Sequence, residues 1–301
     1  MSDPVAKFFV TLAIYRPQAD LLQRQLESLR AQRGVAVRII AVIDDARSID
    51  ARSLHLLEAC PDLEIARLEK QSGVRATFLH GLRLALARSE ANTLFAFSDQ
   101  DDVWHPDKLK IQAAALESSS AALCHCDARL VTPDGVVIAP SMHRSEGRAV
   151  PRNMFELLSR NIVTGMTMVL RHPAAERLVS QGDGFPARFL HDHVAAMLEF
   201  AHGFTFVAEP LVDYVQHSAN VIGSRPRPRF RLPTFTSMRV ARDVIFAYRR
   251  LESIGAVPAG ERLLGSNGRR LDPARIGGSF VRRPGFTAAL LLGALRARSV
   301  T

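Results

Sequence analysis

The chain has 301 residues, 47% of them hydrophobic and 23% charged, which is a globular composition that excludes wholesale disorder. Its net charge of +9 is concentrated in one region: residues 1–223 carry a net −3, whereas residues 224–301 carry 16 arginines, 4 acidic residues and a net +12. This uneven distribution argues against nucleic-acid binding by the whole chain, and we expect no nucleic-acid partner.

The first half of the sequence alternates buried strands with amphipathic helices. The predicted strands are Phe8–Ile14, Val37–Ile43, Leu63–Leu68 and Thr93–Phe97. The predicted helices are Gln18–Gln32, Ser53–Cys60, Gly73–Arg88 and Pro106–Ser118. Such alternation predicts an α/β fold in which helices flank a mostly parallel sheet. Sheets of this kind bind ligands at the carboxyl ends of their strands.

The second half is less regular. A hairpin is predicted over Ala121–Leu130 and Val136–Ala139, further strands at Met166–Leu170, Phe204–Val207 and Leu211–Tyr214, and a helix at His191–Phe200. A Pro/Arg linker, Ser224–Pro233, precedes predicted helices at Val240–Leu251 and Gly285–Arg298. We therefore divide the chain into an α/β domain, residues 1–223, and an Arg-rich linker with a basic helical extension, residues 224–301.

Cysteine content and hydropathy indicate where the protein works. Cys60, Cys124 and Cys126 are too few for a disulfide framework, which fits a reducing cytosol, and we expect them to be structural. No secretory signal is visible, and the longest late apolar run, Ala288–Leu295, is far shorter than the ~20 residues that span a membrane. The predicted location is cytoplasmic, with peripheral attachment at the inner face of the cytoplasmic membrane considered below.

The most informative motif follows the fourth predicted strand. It reads Asp99-Gln100-Asp101-Asp102-Val103-Trp104-His105-Pro106-Asp107-Lys108. Its first three carboxylates repel one another, and a divalent cation with oxygen ligands is the usual counter-charge. Mg²⁺ or Mn²⁺ held this way keeps coordination positions for substrate phosphates. The alternative is an acidic turn that only caps the following helix.

This segment resembles the nucleotide-sugar site of family 2 glycosyltransferases with the GT-A fold, and is similar to that of bacterial rhamnosyltransferase-like members. The resemblance covers roughly residues 8–223. It implies a divalent metal held by Asp99 and Asp101, and donor contacts from Asp99, Asp102 and Trp104.

Other positions match the family in order. The resemblance implies that Tyr15 lies beside the nucleotide, and that a carboxylate of Asp44 or Asp45 accepts the imide N–H of uracil or thymine. It also implies that Arg75 pairs with the diphosphate. The alternatives are acidic turn residues and a solvated surface arginine. Arg16 stands where many members have Asn.

Three later positions complete the implied site. Gly165 shapes the junction between sugar and acceptor, because glycine lets the backbone approach the donor closely. Asp192 is the implied catalytic base, with a helix N-cap as the alternative, and His191 replaces the commoner Glu before it. His217 completes the metal shell, in a segment where Val215 replaces the family's Arg.

The resemblance implies an inverting glycosyltransferase that uses a dTDP- or UDP-sugar, with rhamnose from dTDP-rhamnose as the single best choice. The implied acceptor is a glycan or lipid-linked molecule in bacterial surface polysaccharide synthesis. One alternative is a sugar-nucleotide nucleotidyltransferase, but such enzymes carry a Gly-rich basic loop where this chain has Tyr15-Arg16-Pro17. The other is a non-enzymatic module whose Arg-rich tail binds a polyanion or a membrane.

The tail itself has two interpretations. The apolar side chains of Val240–Leu251 could form a lipid-binding face, giving peripheral membrane contact through the basic C-terminal helices. Alternatively, this face packs on the catalytic domain and leaves a solvated basic face.

Overall fold

The computed structural model describes residues 5–217 and 235–258. Its strands are β1 (Ala6–Ile14), β2 (Val35–Ile43), β3 (Leu63–Arg67), β4 (Leu94–Ser98), β5 (Val103–Trp104), β6 (Leu123–Val131), β7 (Val137–Ala139), β8 (Met168–Arg171) and β9 (Phe204–Val215). Its α-helices are α1 (Ala19–Arg30), α2 (Ala51–Glu58), α3 (Val74–Leu86), α4 (Lys108–Glu117), α5 (Met142–Ser145), α6 (Met154–Ser159), α7 (His172–Gln181), α8 (His191–Glu199) and α9 (Phe235–Ser253).

All nine of these strands belong to one sheet. Eight follow the order β3-β2-β1-β4-β8-β6-β9-β5, and β7 pairs with β6 outside this path. Strands β1 to β4 are mutually parallel, as the alternating first half predicts. Strand β8 is antiparallel to both β4 and β6, so the second half of the sheet is mixed. The parallel half brings the carboxyl ends of β1, β2 and β4 to one edge.

Two hydrophobic clusters cover the two faces of the sheet. Along β1, Phe8, Val10 and Leu12 join one cluster, while Phe9 joins the other. This alternation is the period of two that places successive strand side chains on opposite faces. Helices α1, α2 and α4 contribute to the first cluster, and α3, α6, α7, α8 and α9 to the second. The three cysteines are free and buried, as expected of structural residues.

Two strands differ from the sequence-based expectation. Strand β5, inside the acidic segment, is formed by only two residues that pair with Asp213 and Val212. Strand β9 is continuous where two strands were predicted, and its register against β6 shifts near Pro210. A proline cannot donate to the sheet ladder, which explains both the apparent break in the pattern and the irregularity.

Helix α9 packs against the domain through its apolar side chains. Val244, Ala247, Tyr248 and Leu251 are buried in the cluster shared with α6 and α8. The predicted lipid-binding apolar face is therefore covered by protein, and the packed-helix interpretation describes this side of α9. No helix in the described part of the chain is long and apolar enough to cross a membrane. The predicted linker, the helix at Gly285–Arg298 and the boundary at 223/224 lie outside the described residues.

Candidate active site

The acidic segment leaves the end of β4 and turns across the edge of the sheet. Gln100 fixes this turn against the end of β1: its Oε1 accepts the backbone N–H of Tyr15 at 2.8 Å, and its Nε2 donates to the Tyr15 carbonyl at 3.0 Å. The backbone of half-buried Tyr15 is therefore held beside the acidic segment, and its predicted contact with the nucleotide stays a prediction. The sequence analysis assigned no role to Gln100, although it lies inside the motif.

Asp101 and His217 meet across 116 residues of sequence. The Nε2 atom of His217 lies 2.7 Å from Oδ2 of Asp101, and both side chains are largely buried. A carboxylate and an imidazole placed together in this way are two of the ligand types that Mn²⁺ accepts. The structure thus pairs two of the three residues predicted to bind metal, and the third, Asp99, is near enough for the charge of Asp101 to act on its carboxyl.

Asp99 and Asp102 differ in how they are held. Burial and the nearby charges of Asp101 and Asp192 raise the pKa of Asp99 to about 7. Asp102 is fully buried, its Oδ1 accepts the backbone N–H of Val215 at 3.2 Å, and its Oδ2 has no partner among the described residues. Burial, followed by the charges of Asp101 and Asp99, raises the pKa of Asp102 well above its usual range. Asp102 therefore ties the acidic segment to β9.

A cation fits this cluster chemically. Three carboxylates crowd together, two of them have raised pKa values, and Asp102 carries a buried oxygen without a partner, so added positive charge would relieve their repulsion. Among the described residues, no group of three or more His, Cys, Asp or Glu side chains stands in metal-binding geometry. A cation bound at such a cluster would take its remaining ligands from substrate phosphates and water.

Asp192 faces this cluster from the first turn of α8. Its Oδ1 accepts the backbone N–H of His193 at 2.7 Å, and its Oδ2 accepts that of Gly165 at 3.2 Å. Burial raises the pKa of Asp192 to about 6, against the lowering effect of these hydrogen bonds and of Arg148. The alternative of Asp192 as N-cap is wrong, because Leu190 occupies that position.

Gly165 fits this position because there is no room for a larger residue. A Cβ atom there would lie 2.7 Å from Nε2 of His191. The His191 ring is itself enclosed, with ring centroids of Phe78 and Phe97 at 4.0 and 5.0 Å. Burial lowers the pKa of His191 to about 3, so this histidine is neutral and acts as part of the packing beneath Asp192.

Arg75 holds the loop that leads to Asp192. Its Nη1 donates to the carbonyls of Pro186 at 3.0 Å and Phe189 at 2.9 Å. The predicted pairing of Arg75 with a diphosphate stays a prediction, but this nitrogen already supports the loop. Neither of the contacts could be foreseen, since they join residues 111 and 114 positions apart.

Asp44 and Asp45, at the end of β2, have different surroundings. The buried carboxylate of Asp44 accepts the backbone N–H groups of Ser72 at 2.6 Å and Gly73 at 2.9 Å, which anchors the turn before α3. Asp45 is more exposed, pairs with Arg47 and has a positive φ of 71°. A backbone hydrogen bond from Arg47 is the main cause that lowers its pKa. Asp45 is thus the more accessible of the two for a base.

Trp104 lies below the site rather than in it. Its side chain is 2% exposed, and the Lys108 ammonium lies 3.6 Å from its ring centroid. Lys108 is also fully buried, which lowers its pKa to about 8. The predicted donor contact of Trp104 stays a prediction, and its burial favours support of the acidic segment from within the core.

Arg148 is a site-lining residue that the sequence analysis missed. Its Nη1 donates to the Ile162 carbonyl at 3.0 Å and to Oγ1 of Thr164 at 2.7 Å, so it fixes the turn that contains Gly165. Its charge also favours the ionised form of Asp192. It follows an irregular segment and no motif marks it, so no sequence signal was available.

Comparison with protein families places the chain. Residues 10–179 match the family model of glycosyl transferase family 2. Because this match covers more than half of the chain, the protein belongs to that family. No curated protein shows significant similarity to it.

Solved structures show the same fold at low sequence identity. Staphylococcus aureus TarS 1-349 in complex with UDP-GlcNAc matches with 19% identity and a TM-score of 0.55, over 80% of this chain and 66% of that one. The mannosyltransferase PcManGT from Pyrobaculum calidifontis, in complex with GDP-Man and Mn²⁺, matches with 17% identity and a TM-score of 0.56. The match covers 99% of this chain and 76% of the PcManGT chain. The chain spans slightly less than two thirds of TarS 1-349. The predicted α/β GT-A fold is confirmed.

The raised pKa of Asp99 leads to a prediction about stability. In the folded protein this carboxyl binds its proton more tightly than in the unfolded chain, with a pKa of about 7 instead of about 3.9. The resulting destabilisation is absent below about pH 4, grows between about pH 4 and pH 7, and is constant at higher pH. Without divalent cations, Asp99→Asn should therefore raise the melting temperature at pH 8 by roughly 4 °C or more, and much less at pH 5.

Melting curves of both proteins at the two pH values check this prediction. Glu117→Gln, which removes an exposed carboxylate of α4, is the control and should change little at either pH. An equal shift of Asp99→Asn at both pH values would contradict the assigned electrostatic cause.

Proposed function

We propose that the protein is a metal-dependent, inverting glycosyltransferase. The observation that carries the proposal is the placement of Asp192. Two backbone amides hold its carboxylate, and its charge acts on Asp99, whose carboxyl also feels the charge of Asp101, the partner of His217. A candidate base and candidate metal ligands thus gather around Asp99, at the end of a parallel strand where α/β folds bind their substrates.

Asp101 and His217 would hold the cation, which when bound neutralises the charge of the leaving diphosphate. Asp192 accepts the proton of the acceptor hydroxyl. A pKa of about 6 keeps it ionised at neutral pH and makes it more basic than an ordinary Asp. The acceptor oxygen forms its bond to the anomeric carbon from the face opposite the diphosphate, which leaves with the bonding electron pair and gives inversion.

We further propose the substrates that the motif resemblance implies. The donor is a dTDP- or UDP-sugar, with rhamnose as the sugar, and the acceptor is a glycan or lipid-linked molecule of bacterial surface polysaccharide synthesis. Residues 1–223 form the catalytic domain and residues 224–301 the basic extension, in a cytoplasmic protein attached at the inner membrane face. The UDP-GlcNAc bound to TarS and the GDP-Man and Mn²⁺ bound to PcManGT support a nucleotide-sugar donor and a metal.

A donor screen without acceptor tests this proposal. We expect one nucleotide sugar to raise the melting temperature in the presence of Mn²⁺ or Mg²⁺ and to release free sugar slowly in a metal-dependent reaction. Formation of a sugar nucleotide from a sugar phosphate would indicate a nucleotidyltransferase instead. Absence of both reactions with every donor would favour a non-enzymatic module.

Nucleotide preference gives a second prediction. Calorimetric titration should show tighter binding of UDP or dTDP than of GDP or ADP, since an acidic side chain after β2 can accept a pyrimidine imide N–H. Asp45→Gly should weaken pyrimidine binding and change the melting temperature little, because this side chain is accessible and glycine tolerates the positive φ of 71°. Asp44→Ala should lower the melting temperature, because Asp44 anchors two backbone amides. Tighter binding of GDP would contradict the assignment.

A further inference from the structure

The outward side of α9 carries an exposed basic and aromatic stripe. Arg239, Arg242 and Arg249 are exposed, and the Phe246 side chain between them is 55% exposed. Their spacing of three, four and three residues aligns all four on one side of a helix. We call these four residues the α9 outer stripe.

The rest of the helix fixes the direction of this stripe. Val244, Tyr248 and Leu251 are buried in the domain core, on the opposite side of the helix from the stripe. The acidic residues Asp243 and Glu252 are half-buried and lie between the two faces. Asp243 stands four residues after Arg239 and Glu252 three residues after Arg249, on the two flanks of the stripe, so the stripe itself holds three positive charges and no carboxylate.

We propose that the α9 outer stripe binds the surface of an anionic phospholipid bilayer. Arginines on such a surface reach the lipid phosphates, while a phenylalanine at their centre enters the boundary between headgroups and acyl chains. Duplex DNA would attract the arginines but offers no comparable apolar layer for Phe246.

Arg250, four residues after Phe246 and beside the stripe around the helix axis, connects this surface to the loop before α8. Nη2 of Arg250 donates to Oε1 of Gln181 at 3.0 Å, and its guanidinium packs against Gly184. The same loop leads to Asp192. If the proposed glycosyl transfer is correct, a bilayer bound to the stripe would hold the base-bearing side of the domain near lipid-linked acceptors. The binding surface itself does not depend on that activity.

Sedimentation of the full chain with vesicles tests the proposal. Vesicles of phosphatidylcholine and phosphatidylglycerol should bind the protein, and vesicles of pure phosphatidylcholine should not. Each arginine near an anionic surface contributes about fivefold to binding, so the triple substitution R239Q/R242Q/R249Q should weaken it on the order of 100-fold. Phe246→Ser should weaken it roughly tenfold. Raising the salt to 1 M should release the protein, since screening then acts within about 3 Å.

The matched control removes three positive charges elsewhere. R30Q/R33Q/K110Q changes exposed residues near the start of β2 and α4 and should bind vesicles like the wild type. Melting temperatures show that each variant is folded. The proposal is overturned if the triple α9 variant binds as well as the control, if neither vesicle binds the wild type, or if duplex DNA binds tightly and Phe246→Ser changes nothing. None of these measurements uses sugar transfer, so they are independent of the proposed reaction.

Discussion

Asp101→Ala should abolish sugar transfer and metal-dependent nucleotide binding while the protein stays folded. The Asp101 carboxylate lies 2.7 Å from His217 and is the more accessible neighbour of buried Asp102. A metal acting on a leaving diphosphate supplies several kcal/mol, so its loss should cost about 10³-fold or more in rate. Removal of one of several repelling charges should not lower the stability of the metal-free protein.

Three measurements on one preparation check this result. The transfer rate and the Mn²⁺ affinity, titrated in the presence of nucleotide, should both be lost. The melting temperature without metal should stay equal or rise. Asp107→Ala, which removes an exposed carboxylate six residues further along, should transfer sugar at nearly the wild-type rate. Near-normal activity of Asp101→Ala in Mn²⁺ would show that the metal ligands lie elsewhere.

The parallel half of the fold was predictable because its signals are local. Continuous apolar runs mark β1, β2 and β4, and the helices between them show apolar faces at helical spacing. The position of β8 between β4 and β6 has no such signal, because strand order depends on pairing between distant residues. Strand β5 is two residues long and exists only because β9 pairs with it, so neither composition nor periodicity could reveal it.

The site was predictable where a long motif carried it. The structure brings together Asp99, Asp101, Asp192 and Gly165, which are spread over nearly a hundred residues of sequence. Sequence reasoning could not supply the burial and the contacts of each side chain. The engagement of Arg75 with loop carbonyls depends on packing between α3 and the loop before α8. The same limit applies to Trp104, whose type suggests a sugar contact but whose surroundings bury it.

Asp192→Asn should bind the donor about as well as the wild type and transfer sugar poorly. The amide has the same size, and its oxygen can still accept the His193 N–H. Its NH2 group loses the weaker bond from the Gly165 N–H and cannot take a proton from the acceptor. General-base catalysis typically contributes about 10²–10⁴-fold, and the single-turnover rate should fall within that range. The wild-type rate should also drop about tenfold per pH unit below pH 6, because protonation of Asp192 removes the base.

The pH profile separates catalysis from structure. If Asp192 only supported the fold, Asp192→Asn would retain near-normal turnover and the wild-type profile, and Asp192→Ala would lose mainly thermal stability. If Asp192 is the base, the residual rate of Asp192→Asn should no longer fall as the pH drops below about 6. Donor affinity, measured by calorimetry, should stay constant. Near-normal turnover of Asp192→Asn would move the base to another residue. His191 and His193 are the neighbours to test next, although burial lowers their pKa values to about 3 and about 4 and makes both weak bases.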